Sequence, residues 1–434
     1  MYHIFTLLIV FFCIPSLIFA EICIDITKGI NRPRPISILP FNTTNLLNIG
    51  DIAEIIAFDL NSTGKFYVLS RTEFPEQPTN LSEITVHKWL KSGNDIIVIG
   101  KINIINNNQY EIFYQLVNIA NKHPNKTVIL QNKYTVTQEW IRYAAHTISN
   151  DIFEKLIGIS GEFCTKIAYI TYVKNRQYPY RLYISDYDGN NQILVYQSTE
   201  PLMSPAWAPS GKQLAYVLFS NNRSILVLHD LNNGSIRQIV NFPRHNGAPA
   251  FSPDGKKLAF VLSKTGSLNL YIMDLSSNYI KQITNERNNN TEPSWFPDNN
   301  NLAYTSDRSG KPQIYKIDTS KKNISSKRLS WENVKNQNGK VSSDGKFLIM
   351  ISGNNNAQYI TKLNLLTEQY QKLTNSTLDE TPTLSPSNNM IIYSTSEQSS
   401  SAKLYLISVD GRFKTCLPIN DEQVRFPAWS PYIK

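Results

Sequence analysis

The chain has 434 residues, 41% of them hydrophobic, which is enough for two or three domains with buried cores. The formal charge of +9 is a mild bias, and no run of five or more basic residues occurs, so nucleic acid is not indicated as a partner. The 23 Tyr, 19 Phe and 22 Pro, against 18 Gly, favour many short strands joined by turns.

Residues 1–20 are predicted to be a signal peptide. Ile4 to Phe19 is a mostly apolar stretch of 16 residues, too short for a comfortable membrane span, and a small residue precedes a cleavage site at Glu21. No Lys or Arg precedes the apolar stretch, so an uncleaved anchor stays open as the alternative. Neither Cys13 nor Cys23 follows a small residue, which argues against lipidation.

Residues 21–160 show no repeat and predict a small α/β domain. Helices are predicted where apolar residues recur at helical spacing, and strands where β-formers lie between turn residues. In chain order the predicted elements are the strand from Ile36, the helix Ile49–Asp59, the strand from Lys65, the helix Ser82–Leu90, the strand Asp95–Ile99, a hairpin over Lys101–Val117, the strand Lys133–Val136 and a helix from Thr137, as its N-cap, to Leu156.

Residues 161–434 contain a repeat that predicts a six-bladed β-propeller. A short apolar segment, a marker residue and a turn such as Pro-Asp-Gly recur at spacings of 44, 44, 46, 43 and 45, which is typical of four-stranded propeller blades. The six marker residues are Pro205, Pro249, Pro293, Gly339, Pro382 and Pro427.

The two ends of the repeat region complement each other. Before Pro205 lie three predicted strands, Lys166–Tyr172, Arg181–Asp186 and Gln192–Gln197, without an inner strand. After Pro427 lies an inner strand without successors. We therefore expect the C-terminal strand to complete the first blade and close the ring, which removes an exposed sheet edge.

No pattern of catalytic or cofactor-binding residues is present. The sequence lacks GxSxG, HExxH, CxxC, GxGxxG and a P-loop, and Cys23, Cys164 and Cys416 are too widely spaced for a disulfide framework. Asp186 to Asn190 matches a calcium loop only in part, and a hairpin turn explains it better. We therefore predict no enzyme, no cofactor and no metal.

A non-enzymatic propeller acts through its surface, and propellers bind at the ends of their channel. We define the top rim as the end of the channel at which the inner strands begin. Its predicted residues mix Arg, His, Asn, Thr and carboxylates, which suits a polar protrusion of a protein partner. They are Glu200–Ser204, Arg244–Ala248, Asn289–Glu292, Asn336–Asn338, Asp379–Thr381 and Arg425–Phe426.

At these segments the chain resembles the TolB family, periplasmic propeller proteins of the bacterial Tol–Pal envelope system. The matching segments are EICIDITKGINRPRPISILPF from Glu21, EPLMSPAW from Glu200, FPRHNGAPAFSPDGKKLAF from Phe242, NNTEPSWFPD from Asn289, DETPTLSP from Asp379 and FPAWSPY from Phe426. Three features depart from the family pattern: Gly339 at a marker position, Cys23 in the N-terminal segment and the uncharged start of the signal.

The resemblance implies a periplasmic adaptor, a monomer on its own, that is exported by a cleaved signal. It implies binding of the lipoprotein Pal over the central opening and of the C-terminal domain of TolA through the N-terminus. Other outer-membrane proteins are a further class of partner. The implied role is to keep the outer membrane intact and to help it constrict at division.

Individual residues follow from the same resemblance. His245, Ala248 and Thr291 match family positions linked to Pal binding, and Met203, Arg244 and Glu292 lie in the same predicted rim. The TolA-binding segment is Glu21, Ile22, Cys23, Ile24, Asp25, Ile26 and Thr27, in which Ile alternates with other residues. That alternation favours a strand that adds to a partner's sheet, although an ordinary first strand of the α/β domain explains it equally well.

Two other interpretations remain open. One is a generic periplasmic propeller that binds a small ligand or glycan in its channel. The other, more distant, is a peptidase, because this blade type also caps serine peptidases; the chain shows no counterpart of their hydrolase domain.

Overall fold

The computed structural model describes residues 33–43, 50–106, 108–120, 127–321, 325–354, 356–396 and 401–433. The predicted signal and the segment Glu21–Thr27 lie outside these ranges. Within them the protein is mainly β, with a small N-terminal α/β region followed by a six-bladed propeller, so the predicted fold class is confirmed. No helix in the same ranges is long and apolar enough to cross a membrane.

The α/β region is built on one sheet with three α-helices. The elements are β1 (Arg34–Ile38), β2 (Asn42–Thr43), α1 (Ile52–Ser62), β3 (Phe66–Val68), α2 (Val86–Lys91), β4 (Ile96–Asn106), β5 (Gln109–Asn118), β6 (Thr127–Thr137) and α3 (Ile141–Ile157). The strand order is β3-β1-β4-β5-β6, with β2 paired to β4. Two parallel pairs, β1 with β3 and β1 with β4, precede a long antiparallel hairpin of β4 and β5.

Several predicted bounds in this region were wrong. The predicted helix from Thr137 begins at Ile141 after a 3₁₀ turn, and the Thr137 side chain makes no capping hydrogen bond. The predicted strand Asp95–Ile99 continues without a break into the hairpin, because β4 pairs with β5 along almost its whole length. The extension of β4 depends on its pairing with β5, and a local sequence pattern carries no information about that pairing.

Six four-stranded antiparallel sheets form the propeller. Five blades follow one another in the chain: β10 (Leu202–Trp207), β11 (Gln213–Ser220), β12 (Arg223–Asp230) and β13 (Ile236–Val240); β14 (Asn246–Phe251), β15 (Lys257–Leu262), β16 (Asn269–Asp274) and β17 (Ile280–Gln282); β18 (Asn290–Trp295), β19 (Asn301–Ser306), β20 (Gln313–Asp318) and β21 (Ser326–Arg328); β22 (Lys335–Val341), β23 (Phe347–Gly353), β24 (Gln358–Asn364) and β25 (Tyr370–Lys372); β26 (Asp379–Leu384), β27 (Met390–Thr395), β28 (Lys403–Ser408) and β29 (Lys414–Cys416).

The sixth sheet closes the ring as predicted. It joins the last strand, β30 (Gln423–Trp429), to β7 (Lys166–Tyr172), β8 (Tyr180–Asp186) and β9 (Ile193–Ser198). The indole nitrogen of Trp429 donates to the Thr165 hydroxyl at 2.8 Å, and that of Trp207 donates to the Ala428 carbonyl at 3.0 Å. These bonds tie the closing strand both to its own blade and to the next one.

Large side chains on the second strand of each blade fill the space between blades. They recur at the same place in the repeat and are almost fully excluded from solvent, which explains the short apolar runs of the sequence. They are Tyr169, Tyr216, Phe260, Tyr304, Met350 and Tyr393, each with 0% exposure.

The α/β region packs against the bottom of the propeller, the end opposite the top rim. Tyr187, just after β8, and Met390, at the start of β27, join one core cluster with α1 and α3. The Ser62 hydroxyl lies 3.3 Å from the Met390 sulfur. The predicted domain boundary at residue 160 stays a prediction; it falls in the connection between α3 and β7.

Candidate functional site

The inner strand of every blade is bulged at the marker position. The register of each inner strand shifts there, and the residue just before the marker has a left-handed backbone although it is never glycine. Their φ angles are Ser204 52°, Ala248 49°, Glu292 55°, Asn338 52°, Thr381 50° and Phe426 55°. A conformation of this kind costs free energy, so its sixfold repetition makes the top rim a strained ring.

A cavity of about 270 Å³ lies inside this ring. Five of the six residues predicted for the Pal face line it: Met203, His245, Ala248, Thr291 and Glu292. Arg244 is next to His245 in the chain, but its side chain is exposed and does not line the cavity. The structure therefore brings five predicted residues together, from three successive blades, and leaves Arg244 at the periphery.

His245 is the titratable imidazole of the cavity. Burial lowers its pKa, so the ring is neutral near neutral pH and can both donate and accept a hydrogen bond. A Cβ at Gly247 would stand 2.6 Å from the His245 Nε2. The ring therefore occupies space that only glycine leaves open. Sequence reasoning missed Gly247.

Asn246 holds the loop that carries His245. Its amide nitrogen donates to the carbonyls of Ser224 and Phe242, both at 2.8 Å, and of Arg244 at 3.2 Å, while its side-chain oxygen accepts from the Phe242 N–H at 2.9 Å. The side chain is fully buried. A completely satisfied buried amide of this kind fixes the loop conformation.

The same position, three residues before the marker, is polar and buried in four blades. It is occupied by Asn246, Asn290, Asn336 and Asp379, each with 0% exposure. The Asn336 oxygen accepts from the Ser352 hydroxyl at 2.7 Å, and the Asp379 carboxylate from that of Ser376 at 2.6 Å. The sequence contains this signal, since a polar residue recurs three positions before the marker in four of the six repeat copies.

Glu292 links two adjacent blades across the ring. Its Oε2 accepts hydrogen bonds from the Thr305 hydroxyl and from the Asn338 backbone N–H, both at 2.6 Å. The Glu380–Arg425 ion pair links two other inner strands, β26 and β30, in the same way. The carboxylates expected to supply rim charge thus also hold neighbouring inner strands in place.

One cluster away from the rim has the residue types of a metal site. Ligand atoms of His146, Asp186 and Asp188 lie within 4.8 Å of one another. Arg142 contacts both carboxylates and Lys166 pairs with Asp186, so the negative charge is already balanced by side chains. Asp186 to Asn190 forms the hairpin turn that the sequence predicted, with the Asp186 N–H donating to the Asn190 carbonyl at 2.8 Å. We assign no metal to it.

Comparison with known proteins agrees with this architecture. Residues 153–433 match the TolB beta propeller domain, and residues 22–124 match the TolB amino-terminal domain. The curated "Tol-Pal system protein TolB" of Hamiltonella defensa is 56% identical over 419 residues, which are 96% of each chain. That of Haemophilus influenzae strain PittGG is 53% identical over 95% of this chain and 94% of its own.

A solved structure extends the agreement to the whole fold. The crystal structure of TolB from Acinetobacter baumannii superposes with a TM-score of 0.83 at 34% identity, covering 92% of this chain and 97% of that one. Both parts of the chain, in the same order, are thus shared with these relatives. The chain belongs to the TolB family.

Proposed function

We propose that the chain is a non-enzymatic periplasmic adaptor of the Tol–Pal system. It binds the lipoprotein Pal at the top rim and the C-terminal domain of TolA through its N-terminus. Through these contacts it supports outer-membrane integrity and constriction during division. The names of the relatives support membership of the system. The observation that carries the proposal is the convergence of Met203, His245, Ala248 and Thr291 on one cavity.

The cavity has the properties of a docking point for a protein protrusion. Its wall mixes apolar groups, such as Met203 and Phe426, with the neutral imidazole of His245 and the hydroxyl of Thr291. The small side chain of Ala248 leaves room beside a backbone held rigidly by the bulge. A preorganised concave surface with a few polar groups binds at low entropic cost.

Calorimetric titration of the full mature chain with Pal tests the top rim. Replacing His245 with Ala should weaken binding about tenfold or more, as loss of an interface anchor does. His87→Ala is the matched control, because His87 is exposed on α2. Ala248→Leu should block docking, whereas Ala248→Gly should preserve it, since glycine adopts the left-handed backbone without strain. If His245→Ala and Ala248→Leu both bind Pal like the parent, the Pal face lies elsewhere.

The N-terminal contact is tested by deleting Glu21–Thr27 from the mature chain. TolA binding should be lost and Pal binding retained, because the two segments contact different partners. TolA binding that survives the deletion would contradict the proposal. A matched control replaces the three Ile residues of the segment with Val, which keeps the strand pattern.

A second cavity, of about 410 Å³ at the bottom of the channel, bears on the alternative of a glycan or small ligand. It is lined by Trp207, Trp295 and Trp429. All three rings are less than 10% exposed, and their indole nitrogens bond to Ala428, Ala250 and Thr165. The indoles therefore serve contacts within and between blades and do not present an open aromatic face to a sugar.

A further inference from the structure

One side chain in the central channel differs from its five counterparts. The residue after the marker is small in five blades, and in the fifth sheet along the chain, β22 to β25, it is lysine. The six residues are Ala206, Ala250, Ser294, Lys340, Thr383 and Ala428. Lys340 lines both the top and the bottom cavity, so its side chain occupies the channel that connects them.

The ammonium group of Lys340 has no hydrogen-bonding or ion-pair partner among the described residues of the chain. Burial lowers its pKa, and the nearby charge of Glu292 raises it only in part. Oε2 of Glu292 is already engaged in hydrogen bonds from Thr305 and Asn338. A positive charge is thus held in the channel without a direct counter-charge, which is unfavourable unless something pairs with it.

The other residues of the channel wall do not compete for an incoming anion. Among those lining the bottom cavity, Lys340 alone has an ionisable side chain. Among those lining the top cavity, the ionisable groups besides Lys340 are Glu292, already hydrogen-bonded, and the neutral His245. The five small counterparts of Lys340 leave space around its ammonium. The channel therefore combines volume, positive charge and access from two ends.

We propose that the central channel is an anion-binding site in which the Lys340 ammonium pairs with a carboxylate or a phosphate group. That group can come from an acidic side chain of the partner bound at the top rim, or from a small free anion that enters at either end. The first source rests on the proposed function; the second does not. In both cases the anion supplies the missing counter-charge.

Free anions are tested on the full mature chain with inorganic phosphate and with succinate. The pKa of Lys340, followed by NMR of its ε-methylene group, should rise by about one unit or more when the anion binds, because an opposite charge favours the ammonium. The melting temperature should rise with the same concentration dependence. Lys340→Met should abolish both effects and Lys340→Arg should keep the thermal one. Lys335→Met, on the same strand, is the matched control and should behave like the parent.

The partner's acidic side chain is tested with Pal. If it is the source, Pal raises the pKa of Lys340 while phosphate and succinate do not, and Lys340→Met weakens Pal binding about tenfold at low salt. If free anions are the source, the phosphate and succinate effects appear without Pal. Failure of Pal to bind the parent would overturn the proposed function, and the free-anion titrations would still decide the site. An unchanged Lys340 pKa with all three probes, or equal effects in Lys340→Met, would overturn the anion site.

Discussion

The phenol of Tyr187, in the propeller, donates a hydrogen bond of 2.6 Å to Oδ1 of Asp59, in helix α1. The other carboxylate oxygen of Asp59 accepts from Nδ1 of His146, in α3, at 2.8 Å. All three side chains are almost fully buried. Arg142 pairs with Asp188 beside them. One polar network thus joins α1 and α3 of the α/β region to the bottom of the propeller.

Replacing Tyr187 with Phe should destabilise the protein by about 1–3 kcal/mol, because a buried carboxylate loses one of its donors. The free energy of unfolding is measured by chemical denaturation. Tyr279→Phe is the matched control: the Tyr279 side chain is 68% exposed and should lose almost nothing. Equal stability of the two variants would mean that the hydrogen bond to Asp59 contributes nothing to the junction.

The same network predicts a pH dependence. Burial lowers the pKa of His146, and the positive charge of Arg142 lowers it further. The charge of Asp59, the hydrogen bond to Asp59 and the charge of Asp188 raise it by more, so the pKa of His146 is raised overall. A base whose folded-state pKa is raised contributes stability that is complete below its unfolded pKa and is lost as the pH rises through the folded value. His146 should therefore stabilise the junction more at about pH 6 than at about pH 9.

The contribution of His146 is isolated by comparing the parent with His146→Gln at each pH. The difference in unfolding free energy should be largest at the acidic end of the range and should shrink as the pH rises. His87→Gln, on the exposed face of α2, is the matched histidine control. A difference that grows with pH would show that His146 is neutral in the folded protein.

Glu162, in the connection between α3 and β7, should destabilise the protein at alkaline pH. Its carboxyl is completely buried, and neither oxygen has a hydrogen bond of normal geometry within the described residues, although Ser385, Ser387 and Asn389 lie near it. Burial raises its pKa from 4.5 to about 7, against a smaller opposing effect of these polar neighbours. The protonated form is therefore favoured in the folded state, and stability falls as the pH rises from the unfolded to the folded pKa.

Glu162→Gln removes this titration. The variant should gain up to about 3 kcal/mol over the parent above pH ~8, and much less near pH ~4, since one pKa unit corresponds to about 1.4 kcal/mol. Denaturation curves across this range measure the gain. Glu154→Gln is the control, because Glu154 is exposed on the last turn of α3. A Glu162→Gln variant less stable than the parent at alkaline pH would show that the carboxylate is well solvated or paired.

The sequence predicts the propeller well, but it does not predict the polar network of Tyr187, Asp59 and His146 that joins the propeller to the α/β region. The markers, turns and apolar runs recur within each blade, so local patterns define both the six sheets and the closure by β30. Asp59 and Tyr187, in contrast, are separated by 128 positions, and no local pattern pairs them. The top rim was likewise predictable only in part. The repeat register places both Arg244 and His245 in the rim, but it does not show that, of the two, only His245 lines the cavity.

Gly247 leaves the space that the His245 imidazole occupies at the cavity wall. A methyl group at this position would stand 2.6 Å from Nε2 and 2.9 Å from Cε1 of His245, so Gly247→Ala should displace the imidazole from the cavity wall. The fold should survive, because the clash involves the end of a side chain and the backbone of Gly247 has no left-handed strain. We expect Pal binding to weaken about as much as in His245→Ala.

A double-mutant cycle decides whether Gly247 acts through His245. In the parent, Gly247→Ala should weaken Pal binding; in the His245→Ala background it should have almost no further effect, because the group it displaces is already gone. Calorimetric titration gives the four affinities, and a melting curve of each variant confirms folding. Additive losses in the cycle would contradict the argument, since they would show that the glycine affects Pal binding by a route independent of the imidazole.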